Sequence, residues 1–202
     1  MPAEVAEELP NCRLFLMPPS GLDAVRVAAC VEAAATAGDV ACLVLPADKE
    51  LISGVMQMAQ QLDIAVLVAD DTRTAAYEKA DGVHVTTSRQ DAEAARKSLG
   101  QKVSIGLAAS GSRHAAMEAG EGSIDYIAFD LSSPAGQDLL EWWIPLFEVP
   151  CVGLNAPDEA ACIDAIEAGA DFIMPPAAMW ESADASRDIA ARLTEAGRRD
   201  LA

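Results

Sequence analysis

Eight short apolar runs punctuate the sequence at near-regular intervals, each followed by a segment with helical spacing. In order they are RLFLMP (13–18), VACLVLP (40–46), AVLVA (65–69), GVHVT (82–86), KVSIGLA (102–108), DYIAFD (125–130), VPCVGL (149–154) and DFIMP (171–175). Helices are predicted from Asp23 to near Gly38, from Asp48 to Leu62, over 72–80, from Arg89 to Gly100 and over 113–120. Three more follow, around GQDLLEWWIPLF, along DEAACIDAIEAG and from Asp184 to Gly197. The strands read as continuous apolar runs, as parallel strands covered on both faces do. Eight strand–helix units predict a compact (β/α)8 barrel of the TIM type. A doubly wound open sheet is the alternative; the count of eight and the lack of a polar edge strand favour closure. With 202 residues, 51% of them hydrophobic, one sizeable core is expected. The reading is one barrel domain over 1–202, opened by a short acidic segment at 1–12.

Charge narrows the partners. Fourteen basic residues against thirty-two acidic ones give a formal charge of −18, which opposes nucleic acid and anionic membranes, since both reward concentrated basic charge. A phosphorylated small molecule stays open, because backbone donors and one or two cations hold phosphate locally. The start, MPAEVAEELPNCR, has neither the cationic nor the apolar part of a signal peptide, and no run reaches membrane-spanning length. A cytoplasmic protein is expected. The five cysteines are widely spaced, with no CxxC pair, and read as buried thiols.

Three phrases, KADGVHV, GSIDYIAF and AGADFIM, set Asp81, Asp125 and Asp171 just before strands. These positions lie at the N-terminal face of a barrel, where turn and capping roles are expected, because barrel chemistry sits at the opposite face. Candidates for chemistry therefore lie at strand C-terminal ends: Asp70 and Arg73, His84, Thr86 and Arg89, Ser110 and Arg113, Asp130, and Asn155. Asp70 offers hard oxygen to a cation such as magnesium; a helix cap is the other reading of the Asp70–Asp71 pair. His84 shares a face with Thr86 by period two, and is either a ligand contact or a hydrogen-bonded core histidine. ASGSRHA (109–115) offers hydroxyls and Arg113 at a helix start, where phosphate binds. The segments after the last two strands are poorer, with Asp158 and Glu159 in one and Pro175 and Pro176 in the other. Trp142 and Trp143 mark either a homo-oligomer contact or packing of the sixth helix on the barrel.

ADGVHV, RKSLG, KVSIGLAASG, IDYIAF, VPCVGLN and AIEAGADFI occur in that order within roughly residues 65 to 175. Together they resemble the thiamine-phosphate synthase/TenI family. The resemblance implies a (β/α)8 barrel. Its synthases join hydroxymethylpyrimidine diphosphate to a thiazole phosphate with magnesium and loss of diphosphate, and its TenI-type members aromatise a thiazole tautomer. Carried over by position, Asp70 falls on a magnesium ligand, where the family's Asn-Asp pair reads Ala69-Asp70. The second magnesium aspartate falls on Arg89, with Asp91 two residues later. The Thr-x-Thr-Lys segment after the sixth strand reads Asp130-Leu131-Ser132-Ser133, the Gly-Gly phosphate turn reads Leu154-Asn155, and Leu45-Pro46-Ala47-Asp48 replaces Gln-x-Arg. Arg73, Arg89 and Arg113 are the cations left for a phosphate. The implied protein is a synthase-like barrel with degenerate metal and phosphate motifs, acting on a small phosphorylated or heterocyclic ligand. A non-catalytic small-molecule-binding or protein-interaction homologue is the alternative.

Overall fold

The structure is a computed structural model and describes residues 12–109 and 111–198. Its strands are β1 (Arg13–Leu16), β2 (Val40–Leu45), β3 (Ala65–Ala69), β4 (Gly82–Val85), β5 (Ser104–Ala108), β6 (Tyr126–Asp130), β7 (Cys151–Leu154) and β8 (Phe172–Ile173). The helices are α1 (Ala24–Ala37), α2 (Lys49–Gln61), α3 (Thr72–Glu78), α4 (Arg89–Leu99), α5 (Arg113–Gly120), α6 (Pro134–Trp143), α7 (Glu159–Ala168) and α8 (Ala183–Gly197). Every strand pairs in parallel with its sequence neighbours, and β8 closes on β1. The predicted (β/α)8 barrel is the observed fold.

Each helix begins where a side chain satisfies its free N–H groups. Asp23, Asp48, Asp71, Ser88, Ser112, Ser133, Asp158 and Ser182 all cap in this way. Outward strand residues such as Leu14, Leu43, Val66, Ile105 and Ile127 pack against the helices. Inward residues build the barrel interior in layers taken from alternate strands, as barrels of this type do. The registers stack Cys42, Gly82, Tyr126 and Phe172 lowest, then Phe15, Leu67, Gly106 and Val152. Above come Val44, His84, Ala128 and Met174, then Met17, Ala69, Ala108 and Leu154, with Thr86 and Asp130 at the rim of the C-terminal mouth.

The aspartates at the opposite face act as expected. Asp81 accepts the N–H of Val66 at 2.8 Å, Asp125 that of Ile105 at 2.6 Å, and Asp171 that of Cys151 at 2.8 Å. Asp39 completes the set by accepting Arg13 Nε–H at 2.9 Å. Each carboxylate thus leads into an even-numbered strand and ties it to the odd strand before. Asp125 also receives the buried Arg96, whose guanidinium donates in addition to the carbonyls of Gly100, Val103 and Ser123. Trp143 is fully buried, stacks on Phe147 at 3.9 Å and donates to the Val149 carbonyl, so its role is to pack α6. All five cysteines are buried, and burial pushes the Cys151 and Cys162 thiols up to about 12. Among the described residues, no helix is long and apolar enough to cross a membrane.

Candidate functional site

The C-terminal mouth is built from the residues immediately beyond each strand. Asp70 follows β3 in the left-handed conformation (φ 53°), a region that aspartate tolerates better than most residues. Its N–H donates to the His84 carbonyl at 3.0 Å, which turns its carboxylate onto the end of β4. There one oxygen accepts the Thr86 N–H at 2.7 Å and the other the Thr86 hydroxyl at 2.6 Å. Asp71 is the helix cap: it accepts from the N–H groups of Arg73 and Thr74, and from the Thr74 hydroxyl. The N–H of Thr74 is the main cause of its lowered pKa. Arg73 is exposed in the first turn of α3.

Across the mouth, Asp130 ends β6 and Asn155 follows β7, where Asp130 pairs with Leu154. Burial pushes the Asp130 carboxyl upward, but hydrogen bonds from Ser132 and from the Asn155 side chain outweigh it and hold the pKa below the usual range. Asn155 is also left-handed (φ 54°), the conformation a glycine would take at this turn. The site therefore brings Asp70 to Thr86 and Asp130 to Asn155.

Two of the three candidate arginines hold other partners. Arg89 pairs with Glu93 at 3.0 Å and donates to the Glu118 carbonyl at 3.0 Å, lining a hollow of about 280 Å³ between α4 and α5. Arg113 lies over the Trp142 ring, 5.2 Å from its centroid. Lys49 lies over Tyr77, and His114 is exposed beside Glu118. Ser110 lies outside the described residues.

His84 occupies the layer beneath the mouth and is fully buried. Its Nδ1 meets the Tyr126 hydroxyl at 2.8 Å, while Nε2 has no hydrogen-bond partner among the described residues. Desolvation lowers its pKa to about 4 against a weaker upward pull from Asp70, so the ring is neutral at pH 7. Phe15 meets both rings edge-on, and the imidazole lies parallel to the phenol at a tilt of 10°. Tyr126 was not among the sequence candidates. The available signal was period two along β6, which sets 126 on the inward face of Asp130, combined with the need of any buried phenol for a partner.

Both oxygens of Asp70 are engaged by Thr86, and the Asp91 carboxylate accepts the hydroxyls of Thr87 and Ser88. Among the described residues no group of three or more His, Cys, Asp or Glu side chains is placed to hold a metal ion.

The family model for thiamine monophosphate synthase matches residues 14–178, nearly the whole barrel. The chain belongs to the thiamine-phosphate synthase/TenI family. It is 33% identical over 186 residues to the thiamine-phosphate synthase of Rhodospirillum centenum, covering 84% of this chain and 90% of that protein. It is 40% identical over 130 residues to that of Erythrobacter litoralis, covering 58% of this chain and 61% of that protein. A solved thiamine phosphate pyrophosphorylase from Pyrococcus furiosus superposes with a TM-score of 0.71 at 18% identity, covering 90% of this chain and 96% of the other. That likeness concerns the fold. Within the thiamine-phosphate synthase/TenI family, this chain has the barrel fold and commits Asp70 to Thr86.

Proposed function

We propose that this family member binds a small heterocyclic ligand, carrying at most one phosphate, at the C-terminal mouth, and does not displace diphosphate. The observation that carries the reading is the closure of both Asp70 oxygens on Thr86. A diphosphate leaving group needs concentrated positive charge, from metal or side chains, to stabilise it as it departs. Arg89 and Arg113 hold other partners, and the rim presents Asp70 and Asp130 instead. The floor beneath, with Met17, Ala69, Ala108 and Met174 partly open to solvent, suits a flat apolar ring. Asn155 keeps a glycine-like backbone at the phosphate turn, compatible with a single phosphate.

A second reading, full synthase activity, is favoured by the near full-length similarity to the Rhodospirillum synthase. One experiment separates them. Purified protein is given both thiamine precursors with magnesium, and diphosphate release is followed alongside binding of each heterocycle by calorimetry. Saturable binding with no release above the enzyme-free blank is expected. Release that scales with protein concentration establishes the synthase and ends the first reading.

A further inference from the structure

His84 and Tyr126 form a polar pair inside an otherwise apolar barrel, and one atom of it is unaccounted for. Buried polar groups almost always find partners, so a buried nitrogen without one calls for a physical explanation. Tyr126 offers one O–H donor, and the neutral imidazole has one N–H and one bare nitrogen. If the phenol donates to Nδ1, the pair leaves one group unused, the Nε2–H. If Nδ1–H donates to the phenol oxygen instead, both the phenol hydrogen and the Nε2 lone pair go unused. The first arrangement leaves fewer polar groups unsatisfied, and it fixes Nε2 as a donor.

The pair is held by construction. At Gly106, which neighbours both His84 and Tyr126 in the sheet, a Cβ atom would sit 1.9 Å from Cζ of Tyr126. The absent side chain is the space that the phenol fills. Above His84, the flanking strands β3 and β5 place Ala69 and Ala108, the smallest side chains with a Cβ, and both are partly open to solvent. Met174, in the layer of His84 itself, is partly open as well. Partial exposure at the mouth thus extends down to Met174, a flexible thioether in the layer of His84.

We propose that His84 Nε2–H is the orienting donor of the mouth, hydrogen-bonding an in-plane acceptor, a ring nitrogen or carbonyl oxygen, of a planar heterocycle, with Tyr126 as the positioning residue that fixes its tautomer. This rests on the reading of the mouth as a heterocycle site. It adds a selectivity rule: flat rings bearing an sp2 acceptor bind, and isosteric rings without one bind worse.

The test uses protein labelled with ¹⁵N-histidine and ¹³C-methyl methionine, titrated with pyrimidine, thiazole and benzene. Free protein should show His84 protonated at Nε2. Pyrimidine should shift that N–H signal together with the Met17 and Met174 methyls, and bind about tenfold tighter than benzene, the scale of one hydrogen bond to a buried donor. In His84→Phe the preference for pyrimidine should vanish. In Tyr126→Phe it should fall while benzene binding holds. Methionine shifts with an unmoved Nε2–H signal, or protonation at Nδ1 in the free protein, overturn the role of His84 and leave the mouth a heterocycle site. Unmoved methionines with all three probes overturn the heterocycle reading itself. The histidine signals are read on the wild-type protein, so the test stands even if a variant fails to fold.

Discussion

His84 is held uncharged by a barrel interior that offers an imidazolium little beyond one phenol and a weak pull from Asp70. Its folded pKa of about 4 lies below its ordinary value of 6.5. Between those values the unfolded chain binds a proton that the folded one refuses, so stability rises with pH across this window. The contribution is fully present above pH 6.5 and is lost as pH falls toward 4. At about 1.4 kcal/mol per pKa unit, the loss is about 3 kcal/mol. Urea unfolding at successive pH values should show this slope in the wild type and a flatter one in His84→Phe, the carboxylates contributing a common background. Equal slopes would remove His84 as the cause. The same residue shows what sequence alone conceals: period two set it facing inward, but the hydroxyl that meets Nδ1 lies forty-two residues away and two strands over.

At the scale of elements, the turns into β4, β6 and β8 are fastened by side chains acting as backbone acceptors. Asp125 serves the Ile105 N–H and the guanidinium of Arg96, whereas Asp81 serves the Val66 N–H without such a charge. Asp125→Ala leaves a buried cation short of its counter-charge and should cost about 2 kcal/mol, at the low end for a broken buried pair because Asp125 is half open to water. Asp81→Ala, losing one neutral donor's partner, should cost about 1 kcal/mol. Chemical denaturation midpoints of the two variants check the order, and a larger effect at Asp81 would overturn it. All eight strands and eight helices were legible from apolar runs and caps, yet several ends were not. The predicted strand 171–175 stops at Ile173 because Pro175 and Pro176 lack the N–H to continue a ladder. The sixth helix ends near Trp143, two residues before Pro145, rather than running on to Phe147. The short 3-10 helix Ala177–Glu181 carried no periodic signal and no side-chain cap to announce it.

For the molecule as a whole, family and architecture were readable because they rest on pattern and order, which survive drift of single residues. The mouth was readable only as a roster. Asp70, Thr86, Asp130 and Asn155 were all on it, but that Asp70 would close on Thr86, and Arg89 reach the Glu118 carbonyl, depends on a backbone turn at φ 53° and on a neighbouring helix that a linear reading does not place. The four aspartate fastenings carry one more implication. Asp39, Asp81, Asp125 and Asp171 join β1 to β2, β3 to β4, β5 to β6 and β7 to β8. The barrel is thus riveted at its N-terminal face as four staves of two strands. A circular permutant opened between Leu62 and Asp63 cuts at a joint and should melt close to the parent. One opened between Lys79 and Ala80 loosens the rivet of Asp81 and should melt several degrees lower, by the usual relation of stability to melting temperature. Equal melting of the two permutants would show that the rivets hold turns without partitioning the barrel.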